Sequence, residues 1–179
     1  MRIISGKYKG KLLTGFDIMG TRPTMDRVKE SLFGSIQNYL KNSIVLDLFA
    51  GSGALGIEAL SNGSKTCYFV DNNIKLINII KKNTTDIDEQ VIILKKDYNE
   101  ALKYFKDNNI KFDIIFLDPP YKLNLINKSI ELIEKYDLLN INGIIVCEYE
   151  QEIFISNYKI IKEKKYGNKF IRIYKRLVI

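Results

Sequence analysis

From Ser43 onward the chain alternates short apolar runs with amphipathic stretches, and no other feature restricts its fold so sharply. Ile44–Leu48, Thr66–Val70, Val91–Leu94, Phe112–Leu117 and Gly143–Cys147 read as strands, being short and rich in β-branched and aromatic residues. Ala54–Leu60, Asn73–Asn83, Asn99–Lys106 and Leu125–Tyr136 lie between them and read as helices. Strands separated by helices pair in parallel, and the helices cover both faces of the sheet. The last segment breaks the rule. Tyr158–Lys164 and Phe170–Tyr174 are joined through Gly167-Asn168, a connection too short for a helix. They are expected as an antiparallel hairpin at the sheet edge.

Ahead of this pattern, Met1–Ile4 and Lys11–Leu13 read as two short strands around a turn with Gly6 and Gly10. Thr24 or Asp26 is placed to cap a helix running to about Leu40, with Val28, Leu32, Phe33, Ile36 and Leu40 on one stripe. A length of 179 residues, 46% of them apolar, suits one domain, with 1–41 as an extension and 42–179 as the core. No apolar run approaches the roughly 20 residues of a membrane span, and no secretory signal opens the chain, so a cytoplasmic protein away from membranes is expected. Cys67 and Cys147 sit in strand-like runs and read as buried small hydrophobes. Histidine is absent, which removes Ser-His-Asp triads, Cys-His nucleophiles and His-ligated metals. No metal is expected.

Charge is unevenly spread. Residues 1–41 hold eight Lys/Arg against three Asp/Glu, 42–155 hold twelve against seventeen, and 156–179 hold eight against one. Basic ends around an acidic middle suit a polyanionic partner such as RNA or DNA, although Lys-rich faces are also common solvated surfaces.

The chemistry is written where the strands end. Residues 47–56 read Asp-Leu-Phe-Ala-Gly-Ser-Gly-Ala-Leu-Gly directly after the first strand of the alternation. Gly51, Gly53 and Gly56 satisfy G-x-G-x-x-G, which allows a tight turn and close backbone approach to a ligand. Asp71 ends the next strand, where an acid takes ribose hydroxyls, and Asn72 follows it. Asp97 ends the third strand, with Tyr98 beside it, and can accept from an adenine amine. The pattern alone fits a dinucleotide or S-adenosylmethionine (SAM). Asp47 favours SAM, because a carboxylate beside the loop repels a pyrophosphate and welcomes an ammonium.

The fourth strand ends in Asp118-Pro119-Pro120-Tyr121. Prolines carry no N–H, so the Asp118 and Pro119 carbonyls meet few local donors and can accept from a ligand. A carboxylate, carbonyls and an aromatic ring can hold a flat base by its face and grip an exocyclic amine. The bland alternative is a strand-end turn.

Val45 to Gly53, read as Val-Leu-Asp-Leu-Phe-Ala-Gly-Ser-Gly, resembles the SAM motif of class I methyltransferases. Asp118 to Tyr121 resembles the D/N-P-P-Y/F motif of enzymes that methylate exocyclic amines. Arg2-Ile3-Ile4-Ser5-Gly6, Lys9-Gly10-Lys11 and Arg22-Pro23-Thr24-Met25-Asp26-Arg27-Val28-Lys29-Glu30 resemble the RsmD family, bacterial 16S rRNA guanine methyltransferases acting on the 2-amino group. Ser5 stands where that pattern has Gly, and Asp71 where it has Glu. The resemblance implies a Rossmann-like sheet of seven strands with the last antiparallel. It implies a SAM site drawing on Thr24, Asp47, Phe49, Ala50, Gly51, Ser52, Gly53, Asp71, Asn72, Asp97 and Tyr98. It implies catalysis by Asp118, Pro119, Pro120 and Tyr121. RNA would be held by Arg2, Lys7, Lys9, Lys11 and Arg22. The expected partner is ribosomal RNA or an assembling small ribosomal subunit, met by a monomer.

Competing readings remain at this point. The ledge also serves a DNA adenine or cytosine amino-methyltransferase, although the chain has little room for a target-recognition domain. A protein-glutamine methyltransferase usually has Asn at position 118. An NAD-dependent oxidoreductase is disfavoured by Asp47. A non-enzymatic RNA-binding assembly factor would not need every acid and a complete ledge.

Overall fold

In the computed structural model, which describes residues 1–15, 23–120, 123–149 and 157–176, the alternating segments form a seven-stranded sheet. The elements are α1 (Pro23–Ser35), α2 (Gln37–Leu40), β1 (Ile44–Asp47), α3 (Ala54–Ser61), β2 (Thr66–Asp71), α4 (Ile74–Asn83), β3 (Gln90–Lys95), α5 (Tyr98–Asp107), β4 (Phe112–Leu117), α6 (Leu123–Lys135), β5 (Leu139–Tyr149), β6 (Lys159–Tyr166) and β7 (Lys169–Lys175). Their order across the sheet is β3-β2-β1-β4-β5-β7-β6. Strands β1 to β5 pair in parallel, while β7 is antiparallel to both β5 and β6. Only β7 therefore runs backwards, and β6 ends at the same edge as β5. The fold is the Rossmann-like α/β class that the sequence implied.

Side chains alternate across the strands and build a core on each face. Val45, Ile114, Phe116, Ile144 and Val146 meet α1, α3 and α4 through Phe33, Ile36, Ile57, Ile77 and Ile80. Leu46, Ile115, Leu117, Ile145 and Cys147 meet α5 and α6 through Leu102, Phe105, Ile126, Ile130 and Ile133. The Phe105 ring lies edge-on to Tyr68 and Phe112, with centroids 5.4 and 4.9 Å away. Emptying that position to Ala would cost about 3–5 kcal/mol. Both cysteines are buried and unpaired, as expected.

Several boundaries differ from the sequence reading. The N-terminal pairing is a single antiparallel bridge, Arg2 with Leu12, rather than two strands. Its turn is held by the rest of the protein: the Lys7 amide donates to the Ser61 carbonyl at 2.8 Å, and the Tyr8 amide to Ser61 Oγ at 2.9 Å. Glu58, with no exposed surface, accepts from the Ile4 and Ser5 amides at 3.0 and 3.2 Å and pairs with buried Lys29 at 3.2 Å. Removing one partner of such a buried pair costs about 3–5 kcal/mol, because the other charge is stranded. Neither Thr24 nor Asp26 caps α1, which begins at Pro23 and places Asp26 in its first turn. The helix breaks at Ile36 before the short α2. β5 is longer than expected because Asn142, at φ 64°, lets the chain bend before Gly143 without leaving the sheet.

Candidate active site

β1 delivers Asp47 to the floor of the glycine loop. The carboxylate is 1% exposed, and its Oδ2 accepts from the Gly56 amide at 3.1 Å. Burial pushes this carboxyl up to about 7; the Gly56 N–H opposes the shift and Asp71 adds to it. Gly51 and Gly53 adopt φ of 58° and 86°, left-handed values that favour glycine. Gly56 serves packing instead: a Cβ there would lie 2.3 Å from the Phe69 ring. Gly53 ends the loop and α3 starts at Ala54, so the helix N-terminus opens beside it.

The neighbouring acids hold the loop as well as flanking it. Asp71 Oδ2 accepts from the Gly51 amide and Oδ1 from the Asn73 amide, both at 3.0 Å. Asn72 is exposed beside it. Asp97 caps α5 by accepting from the Tyr98 amide at 2.8 Å. The Phe49 and Tyr98 rings stand 5.9 Å apart between centroids, so the ends of β1 and β3 share an aromatic wall. Ala50 and Ser52 are buried in the loop. Asn83 was not anticipated: its Nδ2 donates to the Ser52 carbonyl at 2.9 Å and to the Thr14 carbonyl at 3.0 Å. One buried amide thus ties the N-terminal extension to the glycine loop.

The ledge leaves the adjacent strand. Asp47 pairs in register with Phe116, and the Leu48 amide donates to the Phe116 carbonyl at 3.3 Å. Two residues on, Asp118 emerges beside the start of the glycine loop. β1 and β4 are the pair at which the strand order reverses, the place where open α/β sheets bind ligands. Asp118 is exposed, Pro119 buried and Pro120 exposed; Tyr121 lies outside the described residues. On its other side, Leu117 pairs with Cys147, which sets Asp118 next to Glu148. Glu148 is itself paired with Lys169 at 2.9 Å. Sequence reading missed both because it ended the fifth strand at Cys147; extending it by one residue would have put another acid at a strand end.

Surrounding protein and then the Glu148 carboxylate push the Asp118 carboxyl well above its ordinary range; Lys169 opposes them and Asp47 adds to them. Because Asp118 is exposed, water offsets part of the first cause, and repulsion between the carboxylates is the firmer one.

The remaining expected contacts belong to the N-terminal extension. Thr24 sits in the first turn of α1, with its side chain outside the described residues, as is Arg22. Arg2 is exposed on the N-terminal bridge, and its carbonyl accepts from Lys29. Lys7 pairs with Asp88 at 3.2 Å and Glu89 at 3.0 Å, and Lys11 pairs with Asp86. Their turn rests on Ser61 and on the residues leading into β3, at the edge where the parallel strands begin. Lys9 is exposed. The basic tip and the ledge therefore occupy opposite edges of the sheet.

The family described as conserved hypothetical protein 95 matches residues 1–175. A candidate rRNA methyltransferase of Bacillus subtilis, YlbH, is 39% identical over 98% of this chain and 99% of its own length. Ribosomal RNA small subunit methyltransferase D of Haemophilus influenzae is 37% identical over 97% of this chain and 93% of its own. The chain belongs to this RsmD-like family. A solved structure of a candidate methyltransferase from Escherichia coli, yhhF, superposes with a TM-score of 0.85 at 27% identity, covering 99% of this chain and 98% of that one. The match runs through the glycine loop, the ledge and the N-terminal extension alike. No described helix is long and apolar enough to cross a membrane.

Proposed function

We propose that this protein, as a single domain over residues 1–179, transfers a methyl group from SAM to the exocyclic 2-amino group of a guanine in small-subunit ribosomal RNA. The observation that carries this is the register of β1 and β4, which brings the glycine loop and the Asp118 ledge to one switch point. Membership of a family whose relatives are named as rRNA methyltransferases supports the substrate class.

The donor set fits SAM. Carboxylates end β1 and β2 at Asp47 and Asp71 and follow β3 at Asp97, the cap of α5, which suits a cationic ligand bearing ribose hydroxyls and an adenine amine. Residues 49–53, Asn72, Tyr98 and Thr24 would line the same site. SAM, when bound, supplies an electrophilic methyl on a sulfonium.

A guanine 2-amino nitrogen is a poor nucleophile, since its lone pair is delocalised into the ring. The Asp118 carboxylate and the Pro119 carbonyl accept its two N–H bonds and turn the lone pair toward the donor. Positive charge grows on that nitrogen as the new bond forms, so acceptors fixed there stabilise the transition state more than the ground state. A raised Asp118 carboxyl is also a better receiver for the proton that leaves the cationic product. Pro120 stiffens the ledge, and Tyr121 stacks on the base, a contact worth roughly 1–3 kcal/mol.

Unmodified small-subunit rRNA incubated with methyl-labelled SAM and the protein, then digested for nucleoside mass spectrometry, is expected to yield N2-methylguanosine. Label in adenine or cytosine, or transfer to DNA alone, would replace this reading with an amino-methyltransferase of another specificity.

A further inference from the structure

A cleft between α1 and β6 gathers two ammonium groups without a counter-charge. Lys162 Nζ donates to Ser35 Oγ at 2.7 Å, and Lys164 Nζ donates to Ser31 Oγ at 3.0 Å. The Tyr166 hydroxyl closes on Ser31 from the same side. Leu32, Ile171 and Ile173 form the apolar floor. Among the described residues, neither ammonium has a carboxylate within ion-pair distance. The one acid on β6, Glu163, is engaged by Arg172 and by Tyr149. Strand alternation puts it on the opposite face from Lys162 and Lys164.

The arrangement repeats. Ser31 and Ser35 are one helical turn apart on α1, and Lys162 and Lys164 are neighbours on one face of β6. The result is two lysine–serine pairs side by side: the Ser35 hydroxyl donates to the Ser31 carbonyl at 2.9 Å, while the Ser31 hydroxyl, which accepts from Lys164 and Tyr166, keeps its own proton to donate. Such a row accepts anionic oxygens and offers nothing to a cation.

Register ties the cleft to the ledge. Lys164 pairs with Ile171, Ile171 with Glu148, and Glu148 lies beside Asp118. Lys164 therefore stands three strand spacings from Asp118, about 15 Å along one row of the sheet. The β6–β7 turn rises at the edge where Asp118 lies, unlike the N-terminal turn. This distance lets a strand whose base is held at the ledge lay a neighbouring phosphate in the cleft.

Resting on the proposed function, we infer that the α1–β6 cleft is a phosphodiester-binding site, holding the backbone of the RNA whose guanine reaches Asp118. Lys162 and Lys164 neutralise phosphates and the Ser31 hydroxyl donates to a non-bridging oxygen, while Ser35 and Tyr166 hold Lys162 and Ser31 in place.

The test compares wild type with Lys162→Gln/Lys164→Gln and Lys162→Arg/Lys164→Arg pairs on an unmodified small-subunit rRNA transcript. Binding is followed from 50 to 200 mM salt. The Gln pair is expected to flatten the slope of log affinity against log salt by about 1.5, the loss of two phosphate contacts. Its KM for the transcript should rise, its SAM affinity by calorimetry should hold, and the Arg pair should restore the slope. A Gln pair with wild-type slope and KM overturns the proposal. So does inorganic phosphate competing with wild type at constant ionic strength while the Gln pair still binds RNA normally, which would mark a site for free anions only. A protein partner rather than RNA would leave both RNA readouts unmoved and likewise overturn it. Methyl transfer is scored in the same samples: absent label in wild type sinks the proposed function and the cleft with it, whereas normal label with an unaltered slope sinks the cleft alone.

Discussion

The two edges of the sheet handle charge in opposite ways. Where the parallel strands begin, opposite charges are matched. Lys7 pairs with Asp88 and Glu89, Lys11 with Asp86, and Lys111 and Arg176 with Asp137. The carboxyls there are held below their ordinary range: Lys11 lowers Asp86, and Lys111 lowers Asp137. Burial works against the shift at Glu89, but hydrogen bonds from Tyr8 and Lys7 outweigh it. Where the strands end, acids crowd one another. Burial and then Asp71 raise Asp47, whereas surrounding protein and, more firmly, the Glu148 carboxylate raise exposed Asp118, with Lys169 opposing them. Paired charge with lowered carboxyls is what a docking surface inside a fold needs. Crowded charge with raised carboxyls is what a site needs when its missing partner is a cation, as functional sites commonly show.

The sharpest way to break this contrast is to neutralise one acid at each edge. Asp118→Asn should lower kcat/KM for rRNA by at least about a hundredfold, because a fixed acceptor at the developing charge is lost. Calorimetric SAM affinity should remain near wild type. Asp137→Asn should leave turnover alone and lower Tm by about 2–4 °C at most, since exposed ion pairs contribute up to about 1 kcal/mol. Equal losses of activity from both would erase the distinction.

A second test uses pH. Asp118 must be ionised to accept N–H bonds, and its carboxyl lies above the ordinary value of about 3.9. kcat/KM is therefore expected to rise with pH through a single ionisation above that value, and the rise should be absent in Asp118→Asn. A pH-independent wild-type profile from pH 5 to 8 would contradict the raised carboxyl.

Asp47 gives a smaller effect of opposite sign on stability. Its folded value of about 7 exceeds its ordinary value of 3.8, so between them the native state binds a proton that the unfolded state has released. Stability from this group is then lost as pH rises between those two values, because ionising a buried carboxyl costs more in the fold. Asp47→Asn keeps an oxygen for the Gly56 amide and should raise the Tm of ligand-free protein by a few degrees at pH 8, and by less at pH 5. It should weaken SAM binding. Equal Tm changes at both pH values would show that burial does not control this acid.

The smallest effect is expected at the basic tip. Lys7→Gln/Lys11→Gln should change the salt slope of RNA binding by no more than about 0.5, against about 1.5 for the lysine pair on β6. A tip variant that flattens the slope as much would return RNA to the opposite edge of the sheet.

Much of this was legible in the chain. The β1–β5 alternation, the hairpin around Gly167 and the acids at successive strand ends follow from local pattern, because strand period and turn chemistry are local properties. The ion pairs were not legible. Lys7 lies some eighty positions from Asp88, and only the folded arrangement shows that its charge is already matched. Counting lysines therefore suggested a basic N-terminal surface, although Lys7 and Lys11 are matched by acids there while Lys162 and Lys164 face serines in the α1–β6 cleft. Glu148 was hidden by a strand boundary one residue too early, and Asn83 by a buried amide's lack of any sequence signal. The start of α1 at Pro23 was missed because Thr24 and Asp26 are equally good capping residues on paper.

The central claim is that acceptor ledge and glycine loop serve one reaction at the β1–β4 switch point. A crystal structure with S-adenosylhomocysteine and guanosine monophosphate tests it most directly. The account predicts the guanine 2-amino group within hydrogen-bond distance of the Asp118 carboxylate and the Pro119 carbonyl, with the ligand sulfur beside residues 51–53. Guanine seated elsewhere, with Asp118 facing solvent while both ligands are bound, would contradict it.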